Sequence, residues 1–211
     1  MTMIGSVGRP SRTGGLFRRS LLAVCLLSGC DAIRDVGAAA AGPFRGVEVA
    51  EPAPAPQLVL PMANGGTFDL AEERGRVVLL FFGYTHCPDI CPTTLSDWAL
   101  VADSLGEDAE RARFVFVSVD PERDTPDVAQ AYAARFNPAF LGLTAPDSVT
   151  ARLRGTLNLV AQAEPSETEG EYGVAHSSQV FLVDPEGRLR LLYPFGSTAQ
   201  DMLLDVRRLL R

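Results

Sequence analysis

The sequence predicts an α/β domain whose mixed sheet carries helices on both faces. Three observations lead there. Val77–Phe82 is an unbroken apolar run opened by Gly75-Arg76, short enough to be a strand buried on both faces. Directly after it the spacing turns helical, with Leu95, Trp98 and Val101/Ala102 recurring at three and four residues. The alternation then repeats. Arg113–Val119 is a second buried strand, a helix follows, and two strands around Asp184–Gly187 precede a last amphipathic helix.

The chain has 211 residues, of which 46% are hydrophobic, enough for one domain with a real core plus additions. It contains no repeat and no long hydrophobic span. Net charge is −7, yet four arginines (Arg9, Arg12, Arg18, Arg19) lie before residue 20 and the first acid is Asp31. The remainder is therefore more acidic still. That argues against nucleic acid as a partner, because nucleic acid selects basic surface, and it is compatible with a cation or metal. Every basic residue is Arg, which reflects genome composition rather than function. The four cysteines form two unlike pairs: Cys25 and Cys30 in the amino-terminal apolar segment, Cys87 and Cys91 in the domain. Two thiols in a chain this long are no disulfide scaffold.

Taken in order, residues 1–19 are basic, Leu21–Leu27 is apolar but too short to span a bilayer, and Ser28-Gly29 precede Cys30. A positive start, a short apolar middle and small residues before a cut describe a secretory signal over residues 1–29. Leu27-Ser28-Gly29-Cys30 resembles a bacterial lipobox, which implies cleavage before Cys30 and acylation of its thiol. Asp31 follows, and in lipoproteins of Gram-negative bacteria that implies retention at the inner membrane. Cys25 is an apolar residue of the signal. Residues 30–56, rich in Ala, Gly and Pro, read as a flexible tether, leaving 57–211 as the folded domain.

Within the domain, Leu58–Leu60 and Thr67–Leu70 flank Asn64-Gly65-Gly66 and predict an extra amino-terminal hairpin. The helix after the central strand runs from about Pro92 to Leu105-Gly106. Thr125 caps a helix over Pro126–Phe136, with Pro at its first position. Phe140–Leu143 is a short strand, Asp147–Leu157 a third helix, and Leu159–Ala163 extended. Glu164–Glu171 is an acidic, exposed loop. His176 stands just ahead of a sheet-edge strand, Gln179–Val183, which pairs with Leu189–Tyr193; Thr198–Leu210 is the terminal helix. This order is thioredoxin-like.

The chemistry concentrates where the central strand hands over to its helix, the end of an open α/β sheet at which ligands bind. Cys87 and Cys91 lie there, in a Pro/Asp-rich turn rather than an apolar run. A helix start favours thiol ionisation. Three residues separate the thiols, one more than in the redox motif of thioredoxins. At i and i+4 of a helix they share a face and converge on one ion or close a disulfide. Two thiolates are not a complete zinc site: structural zinc takes four ligands, and the domain has only two Cys and two His in total. Soft sulfur with imidazole suits copper, above all Cu(I), which accepts low coordination. The imidazole is either His86, which adjoins Cys87 and points away from it, or the distant His176. Asp120 and Asp124, after the second buried strand, either support the ligands or serve as turn and cap residues. Asp89, between the thiols, adds negative charge near an ion or caps the helix. Trp98 and Phe81-Phe82 are core residues.

Three blocks then carry a resemblance: Gly83-Tyr84-Thr85-His86-Cys87-Pro88-Asp89-Ile90-Cys91-Pro92, Val119–Pro126 (VDPERDTP), and Val174-Ala175-His176-Ser177. Together, in this order, they resemble the Sco/SenC family from about Leu58 to Leu210. The resemblance implies a membrane-tethered copper chaperone of thioredoxin-like fold. Such a protein delivers copper to the copper centre of cytochrome c oxidase, in subunit II, or to another copper acceptor. It implies that Cys87 and Cys91 are the copper thiolates and His176 the imidazole ligand, that His86 is no ligand, and that Asp120 and Asp124 stand behind the site. Many relatives use an uncleaved membrane helix where this chain has a lipobox, which changes the tether and not the chemistry. The location implied is the periplasmic face of a bacterial inner membrane. The rival class is a thiol–disulfide oxidoreductase that keeps partner cysteines reduced, which needs both Cys but not His176. A peroxidase-like activity suits the fold but lacks a Thr-x-x-Cys arrangement.

Overall fold

A computed structural model describes residues 43–165 and 172–211. The expected signal over 1–29, the lipobox ending in Cys30, Asp31, the first part of the tether and residues 166–171 of the acidic loop lie outside the described residues.

The strands are β1 (Val47–Glu48), β2 (Val59–Pro61), β3 (Thr67–Asp69), β4 (Val77–Gly83), β5 (Ala112–Ser118), β6 (Leu141–Thr144), β7 (Ala161–Pro165), β8 (Tyr172–His176), β9 (Val180–Val183) and β10 (Leu189–Tyr193). The helices are α1 (Ile90–Leu105), α2 (Pro126–Ala134), α3 (Asp147–Leu157) and α4 (Ala199–Leu209). Six strands form the main sheet in the order β1-β10-β9-β4-β5-β6. β4, β5 and β6 are parallel, and β9, β10 and β1 run antiparallel to their neighbours. The mixed α/β sheet is the one expected.

β4 explains the layering. All seven of its residues are buried, and successive side chains point to opposite faces. Val77, Leu79 and Phe81 meet α1, α2 and α4 on one side; Val78, Leu80 and Phe82 meet the β2–β3 hairpin and α3 on the other. Each such side chain contributes about 1.5–3 kcal/mol on burial. Trp98 is fully buried among Phe81, Phe114 and Phe140, in the core role expected of it. Gly142 lets α2 lie against β6, since a Cβ there would fall 2.1 Å from the Ala129 carbonyl oxygen.

Two expectations change. Residues 43–56 are seated on the domain rather than free of it. β1 adds to the sheet edge, the Arg45 and Gly46 N–H groups donate to the buried Asp205, and Phe44 lies between the Arg190 and Arg208 guanidinium groups. Contacts with α4 and β10 override the Pro/Ala composition that suggested a spacer. The strand after His176 is interior, because β9 sits between β10 and β4 and β1 takes the edge. Leu159–Ala163, expected to be extended, is strand from Ala161 on and pairs with β8 as a two-stranded arm, with Ala161 opposite His176.

Candidate metal centre

Gly83 ends β4, and the chain turns through Tyr84–Asp89 before α1 begins. Cys87 N–H donates to the Tyr84 carbonyl at 3.3 Å, and Val119 N–H to the Gly83 carbonyl at 2.9 Å, which ties the turn to the end of β5. The helix starts at Ile90, so Cys87 precedes it and the two thiols are not a helical i, i+4 pair. They converge by another route. Cys87 Sγ sits over the helix start and accepts the Cys91 N–H at 3.4 Å. Cys91 is fully buried and Cys87 half-exposed.

The third group arrives from β8. Its last residue, His176, brings Nε2 to 3.8 Å from Cys91 Sγ, and the two sulfurs and an imidazole nitrogen lie within 4.8 Å of one another. His176 Nδ1 is 3.1 Å from the Ser177 carbonyl oxygen. A carbonyl only accepts, so Nδ1 carries the proton and Nε2 turns its lone pair toward the sulfurs. The imidazole edges against the Phe81 and Tyr84 rings at 5.9 and 5.6 Å between centroids. The thiols ionise unequally. A hydrogen bond from the Cys91 thiol, joined by the Cys91 and Asp89 backbone N–H groups and opposed by burial, pulls the Cys87 pKa well below its usual range. The same hydrogen bond, then burial, pushes Cys91 up. Two soft sulfurs and an imidazole at this spacing suit a soft monovalent ion of low coordination number.

Residues 53–211 match the family model described as SCO1/SenC. The chain belongs to the SCO1/SenC family. It is 41% identical to a putative copper-binding protein of Stutzerimonas stutzeri over 136 residues, 64% of this chain and 66% of that one. It is 34% identical to the mitochondrial SCO2 homolog of Bos taurus over 155 residues, 68% of this chain and 58% of the relative. Matches to these two relatives thus span less than two thirds of their length. Among solved structures, apo Sco1 of Thermus thermophilus superposes with a TM-score of 0.72 at 38% identity, covering 81% of this chain and 99% of that one. ScoI of Bradyrhizobium japonicum with copper bound gives 0.68 at 33%, covering 75% and 100%. The fold is thioredoxin-like.

In this SCO1/SenC chain the other residues singled out from the sequence take distinct positions. His86 is exposed and turned to Asp124, with Nδ1 3.8 Å from its carboxylate, outside the sulfur cluster. Asp124 is fully buried and accepts from Thr85 N–H at 2.8 Å, Thr85 Oγ1 at 2.6 Å and Ser118 Oγ at 2.6 Å. It braces the cysteine turn against β5 without reaching a sulfur. Asp120 is buried against Arg123 Nε at 2.5 Å, and that guanidinium stands over the Tyr84 ring, which in turn touches His176. Asp89 is exposed. Its side chain accepts from Thr93 Oγ1, while its backbone N–H supports the Cys87 sulfur.

Two contributors escaped the sequence reading. Gly83 leaves room for Cys91, since a Cβ there would lie 2.6 Å from Cys91 Sγ. Tyr84 packs on the imidazole and meets the Val174 backbone N–H with its hydroxyl, joining the turn to β8. A glycine closing an apolar run and followed by an aromatic was the available signal, but nothing in it specified either contact.

Proposed function

We propose that this SCO1/SenC chain is a copper carrier that binds one ion through the thiolates of Cys87 and Cys91 and the imidazole Nε2 of His176. The observation that carries this reading is the convergence of those three donors within 4.8 Å of one another. Copper is cargo. Cu(I) suits the donor set without demanding a fourth ligand. Cys87 needs no strong base to lose its proton, and the Ser177 carbonyl keeps Nε2 free to bind. Asp124 and Asp120 hold the cysteine turn and Tyr84 behind the ion, and Asp89 adds negative charge beside it. Release is ligand exchange. Acceptor thiols surrender protons and take the ion; Cys91 recovers a proton as it lets go, and Cys87 stays a thiolate. No electron moves.

The acceptor proposed is the copper centre in subunit II of cytochrome c oxidase. The tether proposed is an acyl group on Cys30, exposed after removal of residues 1–29, holding the domain at the periplasmic face of a bacterial inner membrane. Family membership supports the first, and the Leu27-Ser28-Gly29-Cys30 ending supports the second. The test is anaerobic loading of the reduced full chain with Cu(I), followed by mixing with the metal-free copper domain of oxidase subunit II. One ion per chain should bind and then appear in the acceptor. An ion that never leaves, or binding that survives Cys87→Ser with Cys91→Ser, overturns the reading.

The unequal thiols favour a second reading, thiol–disulfide exchange. The Cys87 thiolate would attack a partner disulfide and release one partner thiolate. Cys91 would then lose its proton and attack Cys87, freeing the second partner thiol and leaving a Cys87–Cys91 disulfide. This route does not use His176. In His176→Ala, lost copper binding with intact insulin-disulfide reduction separates the two activities, and biological rescue by that variant would favour exchange over carriage.

A further inference from the structure

A groove of about 220 Å³ lies between the first turns of α1 and the loop joining β10 to α4. Thr94 and Asp97 of α1, Ser178, Val180, Phe195 and Met202 line it. Its lining stands close to the ligands in sequence: Thr94 lies one helical turn past Cys91, and Ser178 lies two residues past His176. Phe195 is 49% exposed, a large aromatic surface held in solvent at the groove wall. Asp97 is half-buried and makes no hydrogen bond or ion pair among the described residues; burial raises its carboxyl pKa. The surrounding segments supply no cation. Asp89–Leu105, Tyr172–Gly187 and Leu191–Val206 contain no Arg or Lys, and besides Asp97 they hold Asp89, Asp103, Asp184, Glu186, Asp201 and Asp205.

We propose that this groove docks a segment of the copper acceptor in which a basic side chain stands next to an apolar one. The inference rests on the copper-delivery reading above. The basic group pairs with Asp97, a half-buried carboxylate with no partner among the described residues. The apolar side chain covers Phe195 and reaches toward Val180 and Met202. Cys91 is fully buried and Cys87 half-exposed, so an acceptor meets the ion from the Cys87 side. A segment seated in the groove brings the acceptor to that open side. Paired charge at such a rim speeds encounter and steers it.

The experiment uses the full chain, loaded anaerobically with Cu(I), and the metal-free copper domain of oxidase subunit II. Complex formation and copper transfer are measured separately. Asp97→Asn and Phe195→Ser should each weaken the complex and slow second-order transfer by about tenfold, and Asp97→Asn should flatten the salt dependence. Asp103→Asn, which removes the same charge from the exposed far end of α1, should change neither. Capture of the ion by a small Cu(I) chelator should proceed at the wild-type rate in all three variants. Equal binding and transfer by wild type and the groove variants overturns the groove. So does slowed capture by the chelator, which would put the effect at the ion. A complex that forms, responds to both groove variants and transfers no copper supports the groove and sinks the delivery reading. No complex at all overturns both.

Discussion

Cys91 and His176 are 85 residues apart in sequence, and Sγ of one lies 3.8 Å from Nε2 of the other. The main sheet makes the approach. Cys91 follows the end of β4, β9 pairs with that same strand, and His176 closes the arm strand just before β9. If the pair is a copper site, His176→Ala should weaken Cu(I) binding by more than about tenfold, or about 1.4 kcal/mol. Competition against a chelator of known affinity measures this, and titration of the free thiols checks that both remain.

Gly83→Ala tests the space around the buried sulfur. The new Cβ would meet Cys91 Sγ at 2.6 Å and the Phe116 ring at 3.0 Å. Overpacking of this kind costs about 1–3 kcal/mol. The melting temperature of the metal-free chain should fall, and the sulfur-to-copper absorption of the loaded chain should shift, because Cys91 must move.

Asp124→Ala should destabilise the fold by about 3 kcal/mol, since it orphans the buried Ser118 hydroxyl and the Thr85 N–H. Urea unfolding gives the value. Copper affinity should fall by about 10–100-fold as the cysteine turn loosens, the range for residues that support a ligand without touching the ion. Asp124→Asn keeps an acceptor oxygen and should lose less of both.

The pH dependence of Cys87 has a definite sign. Its pKa is lowered from 9.0 to about 3 by the Cys91 hydrogen bond and the lesser contributions around it. A lowered folded-state pKa adds stability that is fully present above the unfolded thiol's value and is lost as pH falls through the folded value. Ionisation of Cys87 should therefore stabilise the reduced chain at neutral pH and cease to do so in strong acid. Its alkylation by iodoacetamide should stay nearly flat from mildly acid to neutral pH instead of rising through the ordinary thiol range. Cys91, pushed up and buried, should react far more slowly. Mass spectrometry of partly alkylated chain reads both.

Copper should raise the melting temperature of the reduced chain and leave the Cys87–Cys91 disulfide form unchanged, because a ligand stabilises only the state that binds it. Calorimetry on the two forms with added Cu(I) makes the comparison. Equal shifts in both would count against thiolate ligation.

The strand-to-helix handover and the thiols were legible in the sequence because a buried strand and a capped turn are local patterns. His176 could be named through the resemblance. Its placement could not be read locally, because it depends on β8 pairing with β7 and on β9 lying inside the sheet. The seating of residues 43–56 was hidden for the same reason. β1 is two residues long, and what holds this segment is distant: Asp205 accepting two backbone N–H groups, and two arginines on Phe44. Gly83 was visible as a glycine, but the sulfur that requires it comes from the next helix.

The most direct test of the central claim is X-ray absorption at the copper edge of the reduced chain, loaded anaerobically with one equivalent of Cu(I). The account predicts two sulfur neighbours and one imidazole nitrogen, with the nitrogen lost in His176→Ala. A shell with fewer than two sulfurs, or a nitrogen that persists in that variant, would contradict it.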